Sequence, residues 1–541
     1  MMKKHELGKI TKKFEKAKEA RIMKEWNEAW EDSESSAKSK DSSWNGRPIA
    51  IVRKFIIDKG LKIYGGLALN ELLKKKKKPI YGPNEFPDYD VFSPNAWEHA
   101  KELCDILVKS GYQFVEARGS ILNDEHHQTY KVGVDYLDIL DLTQVGCPKN
   151  NLINNECDEC GLSKDGKCIS IFNHIPAYDI NANFKTEPQI YKKVYNYDTN
   201  NSMFINKLFV CDPNWMRISM YRELTEPLDN PSRLEKVSTR LDLFNKHYPY
   251  KIKNCSKEDY TNLVNADFKP LLNTIGNYVK KRELINYGAS AYNLFVKNVK
   301  NIGSLEIADY EVYIDSNNVT LGADDYPSYD LDLYNILNTK YSKFTFKLET
   351  KKMFWKEIDV DSITIFGKKN GSSDYNKLIT FTLIETCMPY IQYNGIRYAT
   401  IDRLKYLYYR AVSLPEVVKL TENNPNNYEC LLSNLLIAEK KSKTKNGKFR
   451  RFIVKCDGWT PAKRWKNLIK KSHLKEDLLR STHYKIDYPK KGMKTTIAPL
   501  PGKNVIIPYS PILHKIKKDR TTYRYPYNKR YTKKKIHNTI L

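Results

Sequence analysis

The sequence predicts an α+β protein built from two related α/β domains in tandem, with helical additions and a basic C-terminal region. Three observations carry this. The chain has 541 residues, too many for a single hydrophobic core. From Pro48 onward, helix-like and strand-like hydrophobic periods alternate. One pattern also recurs: IYGGLALNELLKK then PDYDVFSP, starting at Ile63, parallels INYGASAYNLFVKN then ADYEVYID, starting at Ile285.

Residues 1–46 divide into a charged Lys/Glu/Ala-rich helix and a Ser-rich linker, SESSAKSKDSSWNG. The first domain spans 47–250. Within it GLALNELLKK and AWEHAKELCDILVKSG read as helices, while YDVF, YQFVEA and TYKVGVDYLDILDL read as strands. An irregular Cys-bearing insert occupies about 143–184, and DPNWMRISMYREL opens a pair of helices broken near Pro227–Pro231. The second domain spans 251–440; it repeats the first without the insert, and RYATIDRLKYLYYRA answers DPNWMRISMYRE. The interval from Asp90 to Asp138 equals that from Glu311 to Asp359, in FWKEIDVDSITI. In 441–541, WKNLIKKSHLKEDLL reads as a helix and the Pro-, Lys- and Tyr-rich end as extended chain.

The net charge of +27 sits almost wholly in residues 440–541, which hold about 30 Lys/Arg against about 5 acids. Such a region suits a polyanion, nucleic acid before anionic membrane, because no basic amphipathic helix with an apolar face accompanies it. A solvated basic tail is the plainer alternative. No apolar run is long enough to span a bilayer, and MMKKHELGKITKKFEK lacks the apolar part of a signal peptide, so a soluble intracellular protein is expected. For ten cysteines in a chain of this kind, reduced thiols are expected.

Chemistry concentrates between Ile63 and Asp138. Asp88 and Asp90 are two apart on a predicted strand and project from one face. Read as one strand, YKVGVDYLDILDL puts Tyr130, Val132, Val134, Tyr136, Asp138 and Leu140 on one face and Asp135 and Asp141 on the other. Three converging carboxylates suit hard divalent cations, Mg²⁺ or Mn²⁺, and two such ions about 4 Å apart clamp the attacking and leaving oxygens of a phosphoryl displacement. Gly65 and Gly66 present no side chain to a phosphate, and the helix they open offers free N–H groups. Lys74–Lys78 is a solvated run or a source of long-range attraction. Singly, a Gly-Gly pair or a D-x-D is commonplace; their order, with a third acid about 50 residues on, is selective.

Tyr64-Gly65-Gly66, Asp88-Tyr89-Asp90 and Leu137-Asp138-Ile139 resemble the nucleotidyltransferase signature of the DNA polymerase β superfamily. YGGLALN, PDYDVFSP, VDYLDILDL and DPNWMRISMYREL more closely resemble the catalytic subunits of poly(A) polymerases from large cytoplasmic DNA viruses, of poxvirus and giant-virus type. The resemblance covers about 48–250 well and makes both domains nucleotidyltransferase-like. It implies ATP as donor, an RNA 3′ end as acceptor, pyrophosphate as leaving group and two Mg²⁺ or Mn²⁺ ions. Asp88 and Asp90 would hold both metals, Asp138 the catalytic one, and Gly65 and Gly66 the triphosphate. Asp135 is the alternative third ligand. Arg217, Tyr221 and Lys236 are candidates for triphosphate or adenine contact, with a structural role as the alternative. Implied partners are a second copy of the chain or a processivity or cap-methyltransferase subunit; the implied location is the host cytoplasm, in viral factories or the virion. The rivals are another terminal transferase, such as a uridylyl-adding enzyme, and an RNA-binding scaffold without catalysis.

The second copy keeps Asp309, Glu311 and Asp359 but has Gly288-Ala289-Ser290 at its turn, and a pseudo-domain that supports dimerisation or RNA is expected. Cys147, Cys157, Cys160 and Cys168 offer a structural zinc site, or are free thiols or incidental disulfides. His126-His127 reads as a surface loop, and Cys456 as a core residue.

Overall fold

The computed structural model describes residues 47–81, 87–112, 115–119, 129–134, 137–145, 163–164, 167–168, 171–180, 208–226, 234–259, 266–315, 328–351, 361–384, 387–415, 427–442, 447–451, 453, 456–458 and 483–486. The N-terminal helix, Asp135, His126-His127, Cys147, Cys157, Cys160, Asp359 and most of the basic region lie outside the described residues.

The first copy opens with α1 (Arg47–Asp58) and β1 (Lys62–Tyr64), from which α2 (Gly65–Lys75) starts without a loop. β2 (Tyr89–Ser93) and α3 (Ala96–Lys109) follow, then β3 (Val115–Gly119), β4 (Thr129–Val134) and β5 (Leu137–Gln144). In the insert come β6 (Ser163–Lys164), β7 (Lys167–Cys168) and α4 (Ile171–His174); β8 (Ala177–Asp179) and β9 (Phe209–Cys211) return to the sheet. α5 (Pro213–Thr225) and α6 (Leu234–His247) end the copy. α3 shows why these residues fold as they do: Ala96, His99, Ala100, Leu103, Cys104 and Leu107 are buried at helical spacing, one stripe against the sheet.

The second copy runs α7 (Lys269–Lys281), β10 (Ile285–Tyr287), α8 (Gly288–Val296), β11 (Tyr310–Asp315), α9 (Tyr329–Lys340), β12 (Phe344–Lys351), β13 (Ser362–Lys369), β14 (Asn376–Ile384), β15 (Cys387–Tyr393), β16 (Ile396–Ala399) and α10 (Ile401–Ser413). α11 (Tyr428–Lys441) and two short strands, β17 (Cys456–Gly458) and β18 (His483–Ile486), complete the described chain.

Two sheets result. Their orders are β18-β3-β4-β5-β2-β1-β9-β8 and β12-β13-β14-β11-β10-β16-β15-β17. Without the terminal strands β18 and β17, the orders match position by position, and so do the strand senses: β1/β2 and β10/β11 are antiparallel, β2/β5 and β11/β14 parallel. The tandem repeat read from the sequence is therefore a repeat of topology. The pair β8–β9 has its counterpart in β15–β16, so the part of the insert without a counterpart ends before Ala177. The basic region is not only tail, since β17 and β18 each cover a sheet edge.

The copies meet through α5 and α10. Tyr221 stacks on Tyr409 with ring centroids 5.5 Å apart; Arg217 lies over the Tyr409 ring at 5.4 Å and Lys405 over the Tyr221 ring at 4.8 Å. Each copy thus sets a cation on the other's tyrosine, the reciprocity of an isologous interface, here within one chain. The core is continuous across this junction, joining Leu224 and Tyr221 to Tyr292, Phe295 and Leu432. A separate core lies beneath the second sheet.

Two expectations are corrected. Cys255–Cys430 and Cys387–Cys456 are disulfides, the first tying the segment after α6 to α11 and the second β15 to β17, so the thiols are not all reduced. Cys456 is paired rather than a core thiol; Cys104 and Cys211 are buried and free. TYKVGVDYLDILDL is a hairpin, not one strand: Val134 pairs with Leu137 and the chain reverses between them. No helix among the described residues is long and apolar enough to cross a membrane.

Candidate active site

The hairpin decides which acids meet. Gly133 pairs with Asp138 and Val132 with Leu140, leaving Ile139 as the extra residue of a β-bulge; Lys131 then pairs with Asp141. Val132, Val134, Leu140 and Leu142 turn into the core, while Asp138 and Asp141 stand together on the opposite face. A strict alternation through Asp135 and Tyr136 had separated them. Lys131 Nζ lies 2.5 Å from Asp141 and 3.6 Å from Asp138, and Arg118 Nη2 lies 2.8 Å from Asp138.

Next to β5, parallel β2 sets Asp90 level with Asp141 and Tyr89 level with Leu140; Asp88 immediately precedes the strand and is exposed. Four carboxylates, Asp88, Asp90, Asp138 and Asp141, therefore share one edge of the site. Burial pushes the Asp141 carboxyl up to about 6; Lys131 opposes this, and Asp138 and Asp88 add to it. Burial disfavours the charge of Lys131, but Asp141 and Asp138 outweigh it and raise its pKa. Asp141 Oδ1 is buried with no hydrogen-bond partner among the described residues. An all-oxygen donor set with an unsatisfied acceptor fits Mg²⁺ or Mn²⁺.

Across the antiparallel β1/β2 pair, Tyr64 faces Asp90. Tyr64 is held by stacking on Phe92 at 4.1 Å and by a 2.7 Å hydrogen bond between its hydroxyl and Thr143 Oγ1. It is the N-cap of α2 but makes no side-chain capping bond, whereas α5 is capped by Asp212 and α10 by Thr400. The first N–H groups of α2 thus lack the side-chain acceptor those helices have, and they open beside the acids. Gly65 holds φ +70°, and a Cβ there would stand 2.7 Å from Asp90 Cγ, so this position must be glycine. A Cβ on Gly66 would run into the Tyr81 hydroxyl and approach Arg240 Nη1 at 3.3 Å.

Tyr81 and Arg240 went unnoticed in the sequence. Arg240 reaches from α6 to donate to the Tyr81 hydroxyl at 3.2 Å, above the glycine turn. Tyr81 is placed there by Asn70 Oδ1, which accepts from the backbone N–H groups of Ile80 and Tyr81 at 2.9 and 3.1 Å. Only the 240 position, one turn after Lys236 on a predicted helix, hinted at a second cation. Lys236 itself is exposed on α6, and Lys74–Lys78 are exposed, as a solvated run would be.

Arg217 and Tyr221 do not reach this site. Both are 1% exposed. Arg217 donates to Asn245 Oδ1 at 2.7 Å, to Asn214 Oδ1 at 3.0 Å and to the Tyr248 carbonyl, and Tyr221 is covered by Tyr409. The nucleotide-contact expectation for these two is replaced by a structural one: their helix faces the other copy. Cys168 ends β7, and its three companions in the zinc expectation lie outside the described residues.

Residues 50–155, which contain the glycine turn and all four acids, match a known family model. The match is to the poly(A) polymerase catalytic subunit. An African swine fever virus (Badajoz strain) protein assigned as a poly(A) polymerase catalytic subunit is 30% identical over 207 residues, 37% of this chain and 33% of that protein. A protein of Acanthamoeba polyphaga mimivirus with the same assignment is 36% identical over 95 residues, 17% of this chain and 16% of that one. The matched segment thus spans about a third or less of these relatives' lengths. The Megavirus polyadenylate synthase crystal structure is similar in fold, with a TM-score of 0.59 at 20% identity, covering 89% of this chain and 85% of that one. The poly(A) polymerase resemblance read from the motifs thus recurs in the comparisons, and the α+β architecture is that of the Megavirus protein.

Proposed function

We propose that the first copy is a template-independent polynucleotide adenylyltransferase, which adds adenylate from ATP to RNA 3′ ends and releases pyrophosphate. The observation that supports it most is the meeting of the uncapped α2 N-terminus and its glycine turn with four carboxylates, inside the segment that matches the family model. Asp88 and Asp90, with Asp138 and its neighbour Asp141, would hold the divalent ions. Bound there, two ions would supply Lewis-acid stabilisation of the attacking and leaving oxygens. The chain's own groups position the rest. Gly65, Gly66 and the first N–H groups of α2 receive the triphosphate; Arg240, steadied by Tyr81, lies within reach of its outer charge. The acceptor hydroxyl lies against β5, where Asp138 accepts its proton. Lys131 and Arg118 balance the acids so that they stay close before substrate arrives.

RNA is the proposed acceptor and the cytoplasm of an infected host the proposed location; a second copy of the chain is the proposed partner, with a processivity or cap-methyltransferase subunit as the alternative. Incubating the purified chain with a short RNA, Mg²⁺ and each nucleotide in turn tests the central reading. ATP-dependent lengthening, abolished in the Asp88→Asn/Asp90→Asn chain, is expected. Predominant use of UTP would move the assignment to a uridylyl-adding enzyme. RNA binding without extension under any nucleotide would leave a scaffold.

A further inference from the structure

The second sheet repeats the first pair by pair, and its differences from the first are chemical. In the first copy Asp90 lies level with Asp141, Lys131 pairs with Asp141, and the bulge sets Asp138 opposite Gly133. In the second, Glu311 lies level with Thr380, Thr364 pairs with Thr380, and a bulge at the same place sets Lys377 opposite Phe366. Asp309 precedes β11 as Asp88 precedes β2. Even the support recurs: Tyr287 stacks on Tyr313 at 4.3 Å and its hydroxyl bonds Thr382 Oγ1 at 2.5 Å, as Tyr64 does with Phe92 and Thr143. This register corrects the expected equivalence of Asp138 with Asp359. Asp359 precedes β13, the counterpart of β4, whereas β5 corresponds to β14. The residue in the place of Asp138 is Lys377, and that in the place of Asp141 is Thr380.

Lys377 Nζ lies 2.6 Å from Asp309 Oδ2 and 3.4 Å from Glu311 Oε1. We propose that Lys377 is a built-in counter-ion in the position a divalent cation takes in the first copy, so that the acid pair of the second copy is assembled permanently and binds no divalent ion. The inference uses the metal-site reading of the first copy as its point of comparison.

Charge bookkeeping over matched positions supports it. Asp88, Asp90, Asp138, Asp141 and Glu116 against Lys131 and Arg118 leave a formal charge of −3 in the first copy, which calls for a cation. At the matched positions of the second copy, Asp309, Glu311 and Glu349 against Lys377 and Lys347 leave −1. The Lys131–Asp141 ion pair has become a 3.0 Å hydroxyl contact between Thr364 and Thr380, removing a further ligand. One ammonium holds two carboxylates together but carries no open coordination positions for two reacting oxygens. The backbone cradle, meanwhile, is retained: Gly288 has φ +63°, and a Cβ there would stand 2.9 Å from Glu311 Cδ.

Mn²⁺ binding to the full-length chain, followed by the electron paramagnetic resonance of free Mn²⁺ and by thermal melting, tests this. The Asp88→Asn/Asp90→Asn chain removes the first site and is the background. In it, no Mn²⁺ binding attributable to Asp309 and Glu311 is expected, and melting should not respond to the ion. Adding Lys377→Met should raise Mn²⁺ affinity about tenfold or more and make melting Mn²⁺-dependent, an effect that Glu311→Gln then reverses. Lys377→Gln serves the same purpose if the methionine chain does not fold. The proposal is overturned if the background chain binds Mn²⁺ through Glu311, or if neither Lys377 substitution gains an Mn²⁺ response in a folded chain. Failure of the first-copy reading shows up separately, as equal Mn²⁺ binding by the parent chain and the Asp88→Asn/Asp90→Asn chain.

Discussion

Replacing Gly65 by alanine asks whether backbone shape and metal ligation are one device. A Cβ at this position would stand 2.7 Å from Asp90 Cγ, against about 3.5–4.0 Å for a relaxed carbon–carbon contact. The carboxylate must therefore retreat by roughly 1 Å, and a displacement of that size at a reacting centre costs about 100-fold in rate. Separately, φ +70° is a left-handed conformation, which costs an alanine about 1–2 kcal/mol of stability. Gly288 is a matched control built into the same chain: φ +63°, with Glu311 Cδ 2.9 Å from the built Cβ. Both alanine chains should lose about 1–2 kcal/mol in urea denaturation. Only Gly65→Ala should lose about 100-fold in kcat for ATP-dependent RNA extension. A Gly65→Ala chain that is folded and extends RNA at nearly the parent rate would refute the reasoning. So would an equal loss in Gly288→Ala, because it would place catalysis in the second copy or in neither.

Arg217→Met should destabilise the chain by about 2–4 kcal/mol in urea denaturation, since it leaves Asn245, Asn214 and the Tyr248 carbonyl without their donor. The KM for ATP of the folded fraction should be unchanged, and a large KM effect would return Arg217 to the nucleotide site. Lys62 is buried at 6% exposure, with Nζ donating to the Phe172 and Ile175 carbonyls, and burial, against a small opposing effect of Cys211, brings its pKa down to about 7 from 10.5. Between those values the unfolded chain holds the proton and the folded chain does not, so stability should rise with pH across this window and be lost as pH falls through about 7. Lys62→Met should remove that slope, and urea midpoints from pH 7 upward that climb equally in both chains would contradict it. Finally, a chain ending at residue 250 exposes Tyr221, Arg217 and Leu224, which pack against the second copy, and it should be aggregated or molten in size-exclusion and near-ultraviolet dichroism; a folded fragment would show that the shared core is dispensable.

Much of this molecule was legible because duplication writes the same local physics twice. The glycine turn, the acid pair two residues apart and the order of elements all follow short-range rules. A reader can find Gly65, Asp88 and Asp90 from spacing and then check them against Gly288, Asp309 and Glu311. The faces of β5 were not legible. TYKVGVDYLDILDL alternates well enough to pass for one strand: no glycine or proline separates Val134 from Leu137 to announce the reversal, and Gly133, which sits opposite the bulge, is its one local signal. One missed bulge was enough to separate Asp138 from Asp141, while equal spacing, blind to the longer connection between β11 and β14 in the second copy, aligned Asp138 with Asp359 instead of Lys377. Arg217 and Tyr221 failed for another reason. A polar or aromatic residue on a helix near a site signals contact with something, and the sequence does not say whether that is a ligand or another domain. The disulfides illustrate the same limit, since Cys255 and Cys430 are 175 residues apart and only the closure of the two copies brings them together.

The symmetry of that closure explains why a copy without counterparts of Asp138 and Asp141 persists. In α5 and α10 the same positions do reciprocal work: Arg217 on Tyr409, Lys405 on Tyr221, and the two tyrosines on each other. An interface of this kind cannot lose one partner without exposing the other. Selection on the second copy is then satisfied by anything that preserves its packing face, while the outward-facing N-terminal ends of its central strands β11 and β14 are free to change. A carboxylate pair left there without a cation would repel and loosen β11, so the tolerated changes are those that supply charge from within the chain. Lys377, salt-bridged to Asp309 and Glu311, is such a change. It balances the charge at the head of a ladder whose Val312, Ile314, Ile379 and Phe381 build the second copy's own core, and on the proposal above the same contact closes the position of a second metal site.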